Sequence, residues 1–209
     1  MNKYIKLYEQ FNIQDIDPYG EEDWDEDNLT PVLKIAKKQG KLYDQITKID
    51  LSNKHLTDLD GIENFKNLEK LYCSNNQLEN LNGIENLINL EKLYCFNNQL
   101  TNLNGIENLR NLEILHCSNN RLTNLNLEKL INLKELYCYN NQLTNLNLEN
   151  LINLQSLDCF NNRLANLNGM ENLINIETLY CYKNNFSNSY KEYLRDYCKS
   201  KNIYLHLNI

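Results

Sequence analysis

Six of the seven cysteines in this 209-residue chain recur at a nearly constant interval, and their thiols are the most reactive groups that the sequence repeats. Successive members are 22, 22, 21, 21 and 22 residues apart, at Cys73, Cys95, Cys117, Cys138, Cys159 and Cys181. Thiols can form disulfides, bind metal ions or undergo reversible oxidation. Because there is one thiol in each unit, the way in which the units stack decides which of these reactions is available.

Parallel strands would separate neighbouring thiols by about 4.8 Å, a distance that a disulfide tolerates. Their Cβ atoms would point the same way, however, which suits the perpendicular disulfide dihedral poorly. A metal site needs ligands that converge on one point, whereas a ladder spreads them along an axis. We therefore interpret the six thiols, and Cys198, as small buried core residues and predict no metal site. Metal binding and redox sensing are the alternatives.

No other group of residues indicates catalysis. His55, His116 and His206 are scattered, and His116 must face the side of its strand opposite to Cys117, so the two cannot hold one ion. We find no nucleophile with a base and an orienting partner, no phosphate-binding glycine loop and no dinucleotide fingerprint. A repeated surface also lacks the single special place that an active site needs. We predict a protein that is not an enzyme and needs no cofactor.

Charge and composition limit the partners and the compartment. The net charge of −7 disfavours nucleic acid and anionic membranes as partners. The sequence has no stretch of about 18 apolar residues, and its first residues, MNKYIKLYEQFN, lack the apolar core of a secretory signal. The odd number of cysteines favours reduced thiols. We predict a soluble cytoplasmic protein that does not bind membranes.

The other residues of each unit recur with the same period as the cysteines. In LEKLYCSNNQL, from Leu68 to Leu78, a leucine stands two positions before the cysteine and an asparagine three positions after it. This pattern resembles the leucine-rich repeat signature L-x-x-L-x-L-x-x-N/C-x-L, with Cys in the third apolar position. Units of 21–22 residues look most like those of bacterial internalins. The resemblance implies a leucine-rich repeat solenoid: a curved right-handed coil with a parallel β-sheet on its concave face and short irregular or 3₁₀ returns on its convex face.

Elementary physics explains the same spacing. Residues alternate along KLYCS, so Leu71 and Cys73 face the interior, while Lys70, Tyr72 and Ser74 face outward. One such strand cannot bury its apolar side alone, but a stack of strands can. The asparagines after the strands are expected to form an interior ladder that bonds backbone groups, at Asn76, Asn98, Asn120, Asn141, Asn162 and Asn184.

The returns between strands differ in one respect. Four of them carry a glycine that marks a turn, at Gly61, Gly83, Gly105 and Gly169. The units around Leu125 and Leu146 have no such glycine and are one residue shorter, so we expect a tighter convex side there.

The chain divides into four segments. Residues 1–28 contain the acidic run DIDPYGEEDWDEDN, which we expect to be mobile or loosely docked: a solubilising tail or, alternatively, a docking strip for a basic partner anchored by Trp24. Residues 29–45 are predicted to form a capping helix that begins at Thr30 and Pro31 and ends at Gly40. Seven leucine-rich repeats occupy residues 46–187, of which the first is atypical, with Lys54 in place of Asn. Residues 188–209 are predicted to form a C-terminal cap, helix then strand.

The outward side of the strands carries more aromatic residues than solubility requires. Large rings recur where Ser, Thr or Lys would suffice, and such rings are typical anchors of interfaces. The predicted partner-binding residues are Tyr72, Tyr94, Phe96, His116, Tyr137, Tyr139, Asp158, Phe160, Tyr180 and Tyr182. Lys70 and Lys92 make one end of this face basic, and Glu135 and Asp158 make the other part acidic. Aromatic residues are also good strand formers, so shielding of the sheet is the alternative explanation.

These observations predict a non-enzymatic module that binds a protein or peptide through the concave aromatic face. A monomer is expected. The alternatives are a carbohydrate-binding protein, since tyrosines also stack on sugar rings, and a self-assembling structural repeat protein. Delivery to a host cell is a fourth function, suggested by the internalin resemblance.

Overall fold

The computed structural model describes residues 30–40 and 43–207. These residues form one sheet of eight parallel strands, in which each strand pairs with the next in sequence order. The strands are β1 (Lys48–Asp50), β2 (Lys70–Tyr72), β3 (Lys92–Tyr94), β4 (Ile114–His116), β5 (Glu135–Tyr137), β6 (Ser156–Asp158), β7 (Thr178–Tyr180) and β8 (Tyr204–His206). Helix α1 (Pro31–Lys37) precedes the sheet, and helix α2 (Asn188–Lys201) lies between β7 and β8. This open parallel sheet with a helix towards each end confirms the predicted fold.

The backbone pairing continues beyond each three-residue strand. The amide of Cys73 donates to the carbonyl of Tyr94 at 2.8 Å, and the amide of Asn75 donates to that of Phe96 at 3.0 Å. The first asparagine of each pair then turns the chain with a positive φ, 58° at Asn75 and 54° at Asn97. Asparagine tolerates this conformation better than most residues do, because its short side chain can bond locally.

The core consists of the inward leucines, isoleucines and cysteines of every unit. Leu71, Cys73 and Leu78 are each 0% exposed, and the corresponding residues of the following units are buried as well. All seven cysteines are free and buried. The prediction that the thiols are small core residues is therefore confirmed.

The predicted asparagine ladder is present in the interior. The side chain of Asn98 accepts from the amide of Leu78 at 3.0 Å and donates to the carbonyls of Cys73 and Cys95 at 3.0 and 3.1 Å. Each such amide thus ties its own unit to the preceding one. The same contacts recur at Asn120, Asn141, Asn162 and Asn184.

A second asparagine ladder on the return side was not predicted. The Nδ2 group of Asn89 donates to the carbonyl of Lys66 at 3.0 Å, and that of Asn111 donates to the carbonyl of Ile88 at 3.1 Å. The contact repeats in later units at Asn132, Asn153 and Asn175. The sequence signal was the Asn of each N-L-E-type segment, which could have been recognised from its period.

Glycine determines the shape of four returns, as predicted. Each of these returns contains a short 3₁₀ turn, at Ile62–Asn64, Ile84–Asn86, Ile106–Asn108 and Met170–Asn172. Gly169 precedes the last of them with φ +75°, and a Cβ atom there would lie 2.5 Å from the backbone nitrogen of Glu149. The two shorter units, which lack the glycine, form no 3₁₀ turn between β4 and β6.

The helices next to the sheet have well-defined caps. The hydroxyl of Thr30 accepts from the amide of Leu33 at 3.3 Å, and that of Ser187 accepts from the amide of Tyr190 at 3.1 Å. Helix α2 buries Leu194 and Cys198 against the last repeat. Tyr193 of the same helix is 43% exposed. Its position on the helix edge leaves only part of its ring in contact with the neighbouring tyrosines.

The four segment boundaries proposed from the sequence stay predictions. Residues 1–28, the acidic segment, lie outside the described residues. Within the described part of the chain, neither helix is both long and apolar enough to cross a membrane.

Candidate binding face on the sheet

The outward residues of β1 to β8, together with the second residue after each of the strands β1 to β7, form one continuous surface that we call the sheet face. Parallel pairing in strict register aligns equivalent residues, for example Tyr72 with Tyr94 and Tyr137 with Asp158. All ten predicted partner-binding residues lie on this face, and each is partly exposed. The structure therefore brings them together, while their role in binding stays a prediction.

The rings on the face form two stacked groups. Tyr72 and Tyr94 stack with their centroids 4.8 Å apart and an interplanar angle of 4°. Further along the sheet, Phe160 lies 4.7 Å from Tyr139 and 4.6 Å from Tyr182, with angles of 7° and 3°. These separations match the distance between strands, so the ring faces cover one another and the ring edges meet solvent.

His116 joins the two groups. Its ring stacks on Phe96 at 4.4 Å, and it lies 6.2 Å from Tyr94 and 5.9 Å from Tyr139. The first group occupies the central column of the face, whereas the second occupies the neighbouring column. The aromatic residues therefore continue across the sheet in two adjacent columns, and we call this series from Tyr72 to His206 the aromatic stripe.

The last strand extends the stripe beyond the predicted set. The ring of His206 lies 4.8 Å from Tyr182 and 5.5 Å from Tyr180, and Tyr204 lies 5.8 Å from Tyr180. From the sequence, β8 is predicted only as part of the C-terminal cap. Its alternating pattern, Tyr-Leu-His, carried the signal, since it continues the columns of the preceding strands.

Two serines on the face are more buried than the alternation predicts. Ser74 and Ser118 point outward but are only 2% and 0% exposed. Neither hydroxyl, nor Nε2 of His116, has a hydrogen-bond partner among the described residues. Burial lowers the pKa of His116, so the imidazole at the centre of the stripe is neutral at pH 7.

The acidic part of the face contains a carboxyl group with a raised pKa, that of Asp158. Burial raises the pKa of Asp158 from 3.8 to about 6, although a bond from the Phe160 amide and the nearby His206 act in the opposite direction. The Tyr137 hydroxyl donates to Glu135 at 2.8 Å. This end of the stripe therefore combines rings with the carboxyl groups of Glu135 and Asp158.

The opposite end of the face is basic. Lys48 pairs in register with Lys70, and Lys70 with Lys92, so three ammonium groups lie on adjacent strands. We call these three residues the lysine column. The Nζ atom of Lys48 lies 5.1 Å from the centroid of Tyr72. Among the described residues, no carboxylate lies within 4.0 Å of these lysines, in contrast to the pair of Lys134 and Glu113 at 2.7 Å.

The cysteine ladder is chemically protected. Desolvation raises the pKa of Cys73 and of Cys117 to about 12, and the pKa of Cys95 lies well above its ordinary value for the same reason. The reactive form is the thiolate, so these thiols are poor nucleophiles in the folded protein. Within the described residues, no group of three or more His, Cys, Asp or Glu side chains could hold a metal ion.

Comparison with known proteins shows the family to which this chain belongs. The family model described as "Leucine Rich repeats (2 copies)" matches residues 44–86, 88–129 and 131–171, which is more than half of the chain. The chain belongs to the leucine-rich repeat family. Proteins of this family generally mediate protein–protein interactions and are typically not enzymes.

Solved structures agree with this assignment. Internalin C2 from Listeria monocytogenes is 30% identical with a TM-score of 0.71, over 76% of each chain. A leucine-rich repeat protein of Leptospira interrogans is 25% identical with a TM-score of 0.63, over 79% of this chain and 49% of that one. The predicted internalin-type repeat is thereby confirmed.

A further match has a partner bound. The leucine-rich repeat ectodomain of the plant receptor kinase GASSHO1/SCHENGEN3 from Arabidopsis thaliana was solved in complex with Casparian strip integrity factor 2. It is 26% identical to this chain, with a TM-score of 0.55, over 60% of this chain and 16% of that one. Curated protein sequences gave no significant match.

Proposed function

We propose that this leucine-rich repeat protein is a non-enzymatic recognition module whose aromatic stripe binds a protein or an extended peptide. The observation that carries the proposal is the continuity of the stripe, in which partly exposed rings follow one another from Tyr72 on β2 to His206 on β8. Six steps between seven strands span about 29 Å at roughly 4.8 Å per step. A strip of this length suits a folded surface or a peptide of several residues.

The ring geometry favours a protein over a sugar. A sugar that stacks on tyrosine needs an open ring face, but the faces of Phe160 are covered by Tyr139 and Tyr182. What remains exposed is a row of ring edges with a hydroxyl at each tyrosine, which offers apolar contact and hydrogen bonds together. Such surfaces are typical of protein interfaces.

The charges on the face give the partner an orientation. The lysine column lies at one end of the stripe, and Glu135 and Asp158 lie nearer the other. A partner with the complementary order of charges would bind in one direction across the strands, because like charges in the reverse direction would repel.

A triple substitution of face residues tests the proposal. Replacing Tyr94, Tyr137 and Phe160 by Ser removes contact area from three rows and leaves the core leucines in place. A matched control replaces three isoleucines of the opposite, return side by Ser; these are Ile88, Ile131 and Ile152, which are 58%, 51% and 49% exposed. Both variants and the native protein would be used for affinity capture from the host lysate, followed by mass spectrometry.

We expect one set of proteins to be captured by the native protein and by the isoleucine variant but not by the face variant. Circular dichroism melting should show that both variants stay folded. Capture that is unaffected by the face substitutions would exclude the stripe as the binding site. A glycan array in parallel tests the carbohydrate alternative, and sedimentation at several concentrations tests the expected monomer against self-assembly.

We also propose that the protein works in the cytoplasm. Support comes from the seven thiols, which are all free and buried and so suit a reducing compartment. Fractionation of the host cell with an antibody against the chain tests this, since recovery from the exterior or the cell envelope would contradict it.

A further inference from the structure

The lysine column is a positively charged surface that has no acidic partner among the described residues. Lys48, Lys70 and Lys92 lie on adjacent strands in strict register, about 4.8 Å apart, and no carboxylate of the described residues is within 4.0 Å of them. Like charges placed directly opposite one another in a sheet are destabilising. The presence of three lysines in register therefore indicates that an anionic group binds to them.

The chain itself contains a segment of the opposite charge. Residues 15–27 carry eight carboxylates and no Lys or Arg, whereas the whole chain has a net charge of −7. The rest of the protein therefore has a net charge of +1, so the negative charge of this molecule is concentrated in one short segment. Charge asymmetry of this kind is typical of interaction segments.

We propose that the acidic segment, residues 15–27, binds to the lysine column of the same molecule and covers the first rows of the aromatic stripe. Its carboxylates would pair with Lys48, Lys70 and Lys92, and Trp24 would contact the stacked rings of Tyr72 and Tyr94. The segment then occupies part of the surface that a protein partner would use, so a partner must displace it.

The connection to the described residues is short enough for this arrangement. The acidic segment ends three residues before Thr30, the N-cap of α1. Beyond the other end of α1, the Gln39 side chain lies 3.5 Å from the carbonyl of Lys48. Thr30 and Gln39 are nine residues apart, which is about 13 Å at the helical rise.

An extended chain from Thr30 back to Glu21 can cover roughly 30 Å, at 3.3–3.6 Å per residue. The three lysines span only two strand separations, about 10 Å. Glu21 to Asp27 provide six carboxylates within seven residues, with Trp24 in their middle. The acidic segment can therefore reach every lysine of the column while it stays attached to α1.

Attachment also compensates for the weakness of exposed ion pairs. A single exposed pair contributes little, and salt screens it. A short tether, however, gives the segment an effective concentration in the millimolar range at the lysine column, so several weak contacts suffice to keep it bound. The contact is expected to loosen in about 1 M salt, where the Debye length falls to about 3 Å.

Trp24 is the only tryptophan of the chain, so its fluorescence reports on the acidic segment alone. The test uses the full chain with Lys48, Lys70 and Lys92 replaced by Gln. A matched control makes the same change in charge at Lys129, Lys199 and Lys201, which are exposed and far from β1 in the sheet order. At low salt the column variant should show Trp24 emission at longer wavelength and stronger acrylamide quenching than the native protein.

The control variant should behave like the native protein, and high salt should abolish the difference among all three. A second variant replaces the carboxylates from Glu21 to Asp27 by their amides, and it should cause the same shift in emission. Combining the amide substitutions with the three lysine substitutions should cause no further shift in Trp24 emission, because both sets of substitutions remove the same contact. Independent, additive shifts, or identical emission of the native protein and the column variant, would overturn the proposal.

Sedimentation of the native protein separates binding within one molecule from binding between two. Trp24 quenching that depends on protein concentration, together with dimer formation, would overturn the intramolecular arrangement in favour of exchange between copies. The inference does not depend on the proposed function, since Trp24 fluorescence is measured without any partner.

Discussion

The side-chain amide of Asn120 donates to the carbonyl of Cys95, one repeat away, at 3.1 Å and to the carbonyl of Cys117, in its own repeat, at 3.0 Å. Its oxygen accepts from the amide of Leu100 at 3.0 Å. One side chain thus satisfies three backbone groups that the turn after the strand leaves without ladder partners. Cohesion between units therefore depends on these amides as well as on the leucines.

Replacing Asn120 by Ala should lower the free energy of unfolding by about 1–3 kcal/mol, because the Leu100 amide loses its partner and an unpaired buried backbone group costs about that much. The carbonyls of Cys95 and Cys117 keep the amides of Asn98 and Asn141. Urea denaturation of the two proteins measures the difference. The control is Asn124→Ala, at an exposed position of the same unit, which should change stability by at most about 0.5 kcal/mol. Equal effects of the two substitutions would contradict the structural role of the ladder.

Two glycines with positive φ make a matched pair. A Cβ on Gly169 would lie 2.5 Å from the backbone nitrogen of Glu149, whereas a Cβ on Gly40 would meet nothing within 4 Å. Gly40→Ala should therefore add only the strain of the left-handed conformation, roughly 1–2 kcal/mol. Gly169→Ala adds a backbone collision and should be clearly more destabilising in thermal melts. A smaller loss of stability from Gly169→Ala than from Gly40→Ala would show that the backbone of this return can move to accommodate the Cβ atom.

The sequence period made the core of this protein predictable. Leu71, Cys73 and Asn76 each follow from a rule that acts within one unit and repeats, so their positions could be derived without coordinates. The glycine-dependent returns were predictable for the same reason, since only glycine takes a positive φ readily there.

The arrangement of the aromatic stripe was not predictable in this way. Whether the ring of His116 stands over Phe96 or over Tyr137 depends on side-chain rotamers of neighbouring rows, and alternation along a strand says nothing about them. Similarly, β8 belongs to no repeat, so its alternation predicts a strand but not its register, and the strand pairing is what aligns His206 with Tyr180.

Asp158 should make stability depend on pH. Its folded pKa of about 6 lies above the ordinary value of 3.8, so between these values the folded state binds more protons than the unfolded state. The contribution of Asp158 to the free energy of unfolding is therefore fully present below about pH 4, and it is lost as the pH rises through about 6. Because the side chain is only partly buried, solvent screening reduces the effect to about 1–2 kcal/mol.

The substitution Asp158→Asn removes this titration. The variant should be more stable than the native protein at pH 8, by about the same 1–2 kcal/mol, and the difference should shrink towards pH 4. Urea midpoints at several pH values measure it. Glu177→Gln, at an exposed position before the next strand, serves as the control and should not alter the pH profile. A difference that grows at low pH would mean that the Asp158 carboxylate is stabilised by the fold instead.

The cysteine ladder should resist alkylation as long as the protein is folded. Cys73, Cys95 and Cys117 are 0% exposed, and burial keeps their pKa values far above 8. At pH 8 we therefore expect iodoacetamide to modify none of the seven thiols faster than the protein unfolds, whereas all seven should react in guanidinium chloride. Thr123→Cys, at an exposed position, supplies a thiol that should react at once in the folded protein. Mass spectrometry after timed quenching gives the number of modified thiols. If any native cysteine reacts as fast as the introduced one, its unit opens locally, and the interior would be less tightly packed than these positions indicate.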